Sequence, residues 1–160
     1  MDTSLNDSQK NNIKFLTEKI LLGLYEAEYE KEYLTSIFGE FLPTEKEKWV
    51  KEMASIMSTV ETRSNFCNMS LDEAVARVMF CIIKGHKLVD GNKRSSILCM
   101  VGLYALNLYV SDKGVGNKER FTFDPESLYH KVKEIAALDS QTIDDEKVIV
   151  DLTEFLKTKK

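Results

Sequence analysis

Between His86 and Arg94 this chain places a histidine, a carboxylate, an amide and two adjacent cations, inside the stretch GHKLVDGNKRSS that runs from Gly85 to Ser96. These residue types are the ones needed to move a phosphoryl or nucleotidyl group. If a helix resumes near Gly91 or Asn92, its first backbone N–H groups have no intrahelical partner and donate outward, reinforced by the positive end of the macrodipole. Such an end binds phosphate, and Gly91 lets a ligand approach with no Cβ in the way. Lys93 and Arg94 then fall in the first turn, where a cation is unfavourable to the helix itself, and a bound polyphosphate would explain their presence. Asp90 is a hard oxygen ligand suited to Mg²⁺, which reaches a nucleotide through one or two carboxylates together with phosphate oxygens. His86 suits removal of a proton from an attacking hydroxyl near neutral pH, since an unperturbed imidazole titrates at about 6.5. Base, metal, helix end and cations together are sufficient for phosphoryl or nucleotidyl transfer. A Walker A loop is excluded, because five residues separate Gly85 from Gly91 where that motif has four, and Arg94 rather than Ser or Thr follows Lys93. The competing reading is a charged helix–helix connector without chemistry.

The elements that must position these residues are the most apolar in the chain: VARVMFCII before the stretch and ILCMVGLYAL after it. Ser70 opens an S-x-x-E capping box with Glu73, and Leu71, Ala74, Val75, Val78, Met79 and Ile82 follow at i, i+3, i+4, i+7 spacing. Phe80, Cys81 and Ile83 make that helix apolar on its other faces too, so it is expected at the centre of the fold, with Gly85 ending it. Helical spacing resumes at Ile97 and continues through Val101, Tyr104 and Leu108.

Around this pair the rest of the chain also reads as helical. The first dozen residues are polar and expected to fray, after which Ile13, Leu16, Ile20, Leu21 and Leu24 predict a helix from about Asn12 towards Tyr29. The piece KEYLTSIFGEFLP admits a short helix or a small hairpin. Thr44 begins a T-x-x-E box with Glu47 and a helix through Trp49, Met53, Ile56 and Met57, these last expected in the core. ETRSNFCNMS reads as a loop, and so does SDKGVGNKERFTF. Asp124 and Pro125 start a helix carrying Leu128, Val132, Ile135 and Ala136 on one face, with His130 expected at its surface. Leu138 to Gln141 form a turn, and Thr142 or Asp144 caps a last helix containing Val148, Val150, Leu152 and Phe155.

Composition agrees with an all-α fold of about six helices in one domain spanning residues 1–160, the first ten or so flexible. Two prolines and seven glycines are few for an all-β domain with many turns, and 160 residues suffice for one core but are short for two. A formal charge of -4 argues against a broad nucleic-acid-binding face, which needs a surplus of Lys and Arg. Cys67, Cys81 and Cys99 form no CxxC pair and read as reduced core residues rather than a disulfide framework or a zinc site. MDTSLNDSQKNN has no basic region followed by an apolar stretch, and no apolar run is long enough to span a bilayer, so the expectation is a cytoplasmic protein with no membrane partner.

At the residues quoted first, the chain resembles a known family. HKLVDGNKR is similar to the Fic/Doc signature, H-x-F-x-D/E/A-G/x-N-G/K-R, found at a loop between two central helices, and it matches at His86, Asp90, Gly91, Asn92, Lys93 and Arg94. The helix leading in from Ala74 and the later LYHKVKEIA segment are also similar, so the resemblance spans about Ser70 to Leu156 and is weak over the first sixty residues. Leu88 replaces the usual Phe, which keeps an apolar anchor for the loop. Lys93 stands where adenylylating Fic enzymes have Gly, and Ile97 where they have a second Arg; both point to the Doc-like, death-on-curing branch. The resemblance implies a compact all-helical fold and an ATP- and Mg²⁺-dependent enzyme. His86 would be the base, Asp90 the metal-associated carboxylate, Gly91 and Asn92 part of the anion-holding turn, and Lys93 and Arg94 the phosphate ligands.

It further implies phosphorylation of a hydroxyl side chain on a protein, such as a translation factor, by a toxin restrained by a separate antitoxin. An inhibitory helix of the form S/T-x-x-x-E-G/N is not convincingly present, since Ser36 and Glu40 have the spacing but Phe41 follows. KEYLTSIFGEF and ETRSNFCNMS are the segments that such an enzyme would use to align a protein substrate, or else ordinary connectors. Two alternatives stand beside phosphorylation: Fic-type transfer of AMP, and a catalytically inactive helical interaction module.

Overall fold

A computed structural model of the chain describes residues 4–14, 16, 21–22, 46–85, 92–104 and 124–159. Six helices lie among them, and no strand: α1 (Asp7–Lys14), α2 (Lys46–Ser64), α3 (Leu71–Gly85), α4 (Asn92–Tyr104), α5 (Pro125–Ala137) and α6 (Asp145–Lys159). The all-helical class expected from the sequence is found among the described residues.

α3 is the centre of the bundle. Ala74, Val75, Ala76, Val78, Met79, Phe80, Ile82 and Ile83 are all buried, which a helix can achieve only with neighbours on several sides. Those neighbours are α2, α4, α5 and α6, while α1 rests on α2 and α4 also meets α5. α4 supplies Ile97, Cys99, Met100, Leu103 and Tyr104 to the same core, each completely buried. Burying a side chain of this size is favourable by about 1.5–3 kcal/mol, so the α3–α4 pair contributes a large share of the core. Trp49, Met53 and Met57 of α2 are buried as expected.

Several helix starts follow local chemistry already visible in the sequence. The amide of Glu73 donates to Ser70 Oγ at 3.1 Å, as an N-cap requires. The Glu73 carboxylate instead accepts from Arg77 Nε at 3.0 Å, one turn along α3. Pro125 occupies the first turn of α5 behind Asp124, whose carboxylate accepts the Ser127 hydroxyl at 2.6 Å. Asp144 caps α6 through the amide of Lys147 at 3.4 Å. Asp139 organises the turn before it, accepting the amides of Thr142 and Ile143 on its carbonyl. Thr44 and the segment KEYLTSIFGEFLP lie outside the described residues, as do Ile20, Leu24 and residues 105–123.

The two ends of the N-terminal half differ from expectation. The first helix begins at Asp7, not near Asn12, because Asn6 and Gln9 form a reciprocal capping box: Gln9 N–H to Asn6 Oδ1 at 2.8 Å and Asn6 N–H to Gln9 Oε1 at 3.1 Å. The buried Leu5 is tied in as well, its amide donating to the Met69 carbonyl at 2.6 Å, so the expected fraying of the first dozen residues does not extend over this segment. α2, in turn, does not break at Glu61 but continues to Ser64. The hydroxyls of Thr59, Thr62 and Ser64 satisfy carbonyls one turn back, and Val60 and Ser64 are buried. Only residues 65–70 form the connection, with Phe66 84% exposed at its tip. Cys67 is exposed there too, against the expectation of a core cysteine; Cys81 is half-buried and Cys99 buried.

Polar side chains fasten the outer helices to the centre. Arg77 of α3 grips Glu146 of α6 through both terminal nitrogens, at 3.0 and 2.8 Å, with Arg63 of α2 3.5 Å from the same carboxylate. This pairing raises the Arg77 pKa and lowers that of Glu146. Lys131 of α5 bridges to Asp151 of α6 and lies 5.7 Å from the centre of the Phe155 ring. Among the described residues no helix is long and apolar enough to cross a membrane.

Candidate functional site

The chemistry-bearing stretch connects the end of α3 to the start of α4. His86, Leu88, Asp90 and Gly91 lie outside the described residues; Asn92, Lys93 and Arg94 are the first three residues of α4. The helix therefore starts within the interval expected from the sequence, and it ends its predecessor at Gly85 as expected.

Successive helical residues are rotated by about 100°, so three consecutive side chains cannot share one environment. Asn92 is half-buried and Lys93 is exposed. Arg94 is 6% exposed, deeper than the surface phosphate ligand that sequence reasoning pictures. The two cations thus part company: Lys93 meets solvent and Arg94 turns into the protein. A guanidinium stays protonated wherever it is placed, so at that depth it must be held by its surroundings.

α4 also differs from every other described helix at its N-terminus. α1 opens with Asp7, α2 with Glu47, α3 with Asp72 and Glu73, α5 with Glu126, and α6 with Asp145 and Glu146, each acid favourably placed against the helix dipole. α4 has no acid in its first turn and has Lys93 and Arg94 instead. The exposed Lys93 thus adds positive charge to a helix end where every other described helix sets an acid.

The first turn is braced by bonds that the sequence did not suggest. Ser95 and Ser96 are buried, and the Ser95 hydroxyl accepts the indole N–H of Trp49 from α2 at 2.5 Å. Ser96 donates to the Lys93 carbonyl at 2.5 Å. At the far end of α4 the Tyr104 hydroxyl donates to Asp72 Oδ1 at 2.5 Å; burial, and then that neighbouring carboxylate, push the phenol pKa up, so Tyr104 stays protonated. Burial pushes the Cys99 thiol up to about 12, which removes it as a nucleophile. On the α3 side, Lys84 donates to the carbonyls of Ala136 and Leu138, at 3.4 and 2.7 Å, and so satisfies the C-terminal end of α5. Next to it a cavity of about 420 Å³ opens between α2, the end of α3 and the turn before α6, lined by Ile56, Phe80, Cys81, Gly85 and Ile143 among others.

Ile97 is completely buried in the core. His130 is exposed on α5, as expected, beside the Tyr129 ring at 5.9 Å between centres. Among the described residues no group of three or more His, Cys, Asp or Glu side chains could hold a metal ion. Asp90, the carboxylate assigned to Mg²⁺ from the sequence, is not among them. Compared with known proteins, the chain matches no protein-family model, and neither the curated proteins nor the solved structures yield a match.

Proposed function

We propose that the chain is a transferase of the Fic/Doc type that uses Mg²⁺-ATP to modify a hydroxyl side chain of a protein, with Doc-like phosphorylation favoured over transfer of AMP. The observation that carries this reading is the start of α4: alone among the described helices it has no acid in its first turn, where Lys93 and Arg94 stand directly after the segment HKLVDG. Placing Lys93 and Arg94 against the dipole disfavours the empty helix, and a polyanion seated there reverses the sign. The described residues suit a polyphosphate, with an exposed Lys93 and a half-buried Asn92 in the first turn of α4.

Bound Mg²⁺-ATP supplies the phosphoryl group, and ADP is the leaving group. His86 would take the proton from the attacking hydroxyl, Asp90 would hold the metal, Gly91 and Asn92 would belong to the anion-holding turn, and Lys93 would stabilise charge on the transferred group. Arg94, buried, acts from within by keeping a positive potential under the turn. The buried, apolar Ile97 leaves no second arginine for the nucleotide, which supports phosphoryl over AMP transfer. A separate antitoxin would restrain the enzyme, and a translation factor is one target of this kind.

Incubation with lysate and labelled ATP tests the reading. Label entering a protein from the γ position is expected; entry from the α position alone refutes the kinase assignment, and full activity in His86→Ala refutes the mechanism. The burial of Arg94 favours a second reading, a helical interaction module in which that residue is purely structural. Such a module gives no Mg²⁺-dependent thermal shift with ATP.

A further inference from the structure

We infer that Trp49 is a positioning residue for the phosphate site proposed at the start of α4, an inference that rests on that reading. The first turn of a helix lacks half of its hydrogen bonds, and this one also sets cations against the dipole, so its order must come from elsewhere in the fold. Trp49 supplies it. The only tryptophan in the chain is completely buried in α2, and its indole N–H donates to Ser95 Oγ across 46 positions of sequence. An indole has one donor and no acceptor, so this bond sets the direction of both partners. Ser95 is 3% exposed and adjoins Arg94, while Ser96 closes the turn by donating to the Lys93 carbonyl. Position is thereby transmitted from the rigid interior of α2 to the backbone that carries Lys93 and Arg94. A serine at Ser95 is small enough for the indole to approach and polar enough to receive its proton.

The test exploits the asymmetry of a buried hydrogen bond. Ser95→Ala leaves the indole N–H without this acceptor, whereas the double variant Trp49→Phe with Ser95→Ala removes donor and acceptor together. Binding of Mg²⁺-ATP and of inorganic tripolyphosphate is measured by calorimetry well below the melting temperature of each protein. Amide hydrogen exchange at residues 93–96 is followed without ligand. Ser95→Ala is expected to lower Tm, weaken ATP binding about tenfold or more, and speed exchange at 93–96. The double variant is expected to recover part of the Tm while binding stays weak. A merely structural pair would behave otherwise: recovery of binding along with Tm overturns the inference, and so does unchanged exchange at 93–96 in both variants. If the unaltered protein binds neither ATP nor tripolyphosphate, the phosphate-site reading fails and this inference fails with it; binding in the unaltered protein that the variants keep in full overturns the inference alone.

Discussion

Lys93→Glu should make the ligand-free protein more stable and the ligand-binding protein worse. Lys93 is exposed in the first turn of α4, so exchanging its charge disturbs no core packing. Removing a misplaced cation and adding a well-placed anion are each worth about 0.3–1 kcal/mol at a helix N-terminus. Solvent exposure keeps both at the lower end of that range, giving roughly 0.6 kcal/mol in total. For a chain of 160 residues this raises Tm by roughly 1–2 °C. Differential scanning calorimetry at low salt and again near 1 M salt measures it, and the gain should largely vanish at high salt, where the screening length falls to about 3 Å. Glu47→Lys, the mirror change in the first turn of α2, should lower Tm and lose its effect in the same way. Mg²⁺-ATP binding should fall at least tenfold in Lys93→Glu, because a carboxylate now faces the phosphates. A drop in Tm for Lys93→Glu would refute the claim that the cation is misplaced for stability. Undiminished ATP binding would refute its role as a phosphate ligand.

Three further outcomes follow from contacts already described. Glu146→Gln should cost a few tenths to about 1 kcal/mol at pH 7, since Glu146 is 58% exposed and screened. Its lowered pKa means that the stabilisation is present above the ordinary value of 4.5 and is lost as pH falls through the lower folded value, so urea titrations of the two proteins should converge as the pH is taken below 4.5. Lys84→Met should release the Ala136 and Leu138 carbonyls, lowering stability by roughly 0.5–1.5 kcal/mol and raising hydrogen exchange in the last turn of α5. With a thiol-reactive disulfide reagent at pH 8, Cys67 should react first, Cys81 more slowly, and Cys99 only on unfolding, because Cys99 is buried and its thiol is pushed up to about 12; equal rates at Cys67 and Cys99 would contradict that burial.

What the sequence by itself determined is what short-range chemistry controls. Ser70 ahead of Glu73 starts α3, Asp124 and Pro125 start α5, and a run apolar on every side becomes the central helix, since each depends on residues within a turn or two of one another. Gly85 ends α3 and Asn92 begins α4 for the same reason, and the cations at the start of α4 needed only the helix start to acquire their meaning. Tertiary structure alone decided the rest. The TRS end of α2 looks like a loop by propensity, yet it remains helical because Val60 and Ser64 are buried and the hydroxyls bond back along the helix. Leu5 is ordered by the Met69 carbonyl, a partner no local pattern announces. Lys93 and Arg94 are alike in sequence, but their surroundings send one to solvent and the other inward. Ser95 carries no signal in the chain at all; its importance comes from a single indole that reaches it from α2, and only folding brings the two together.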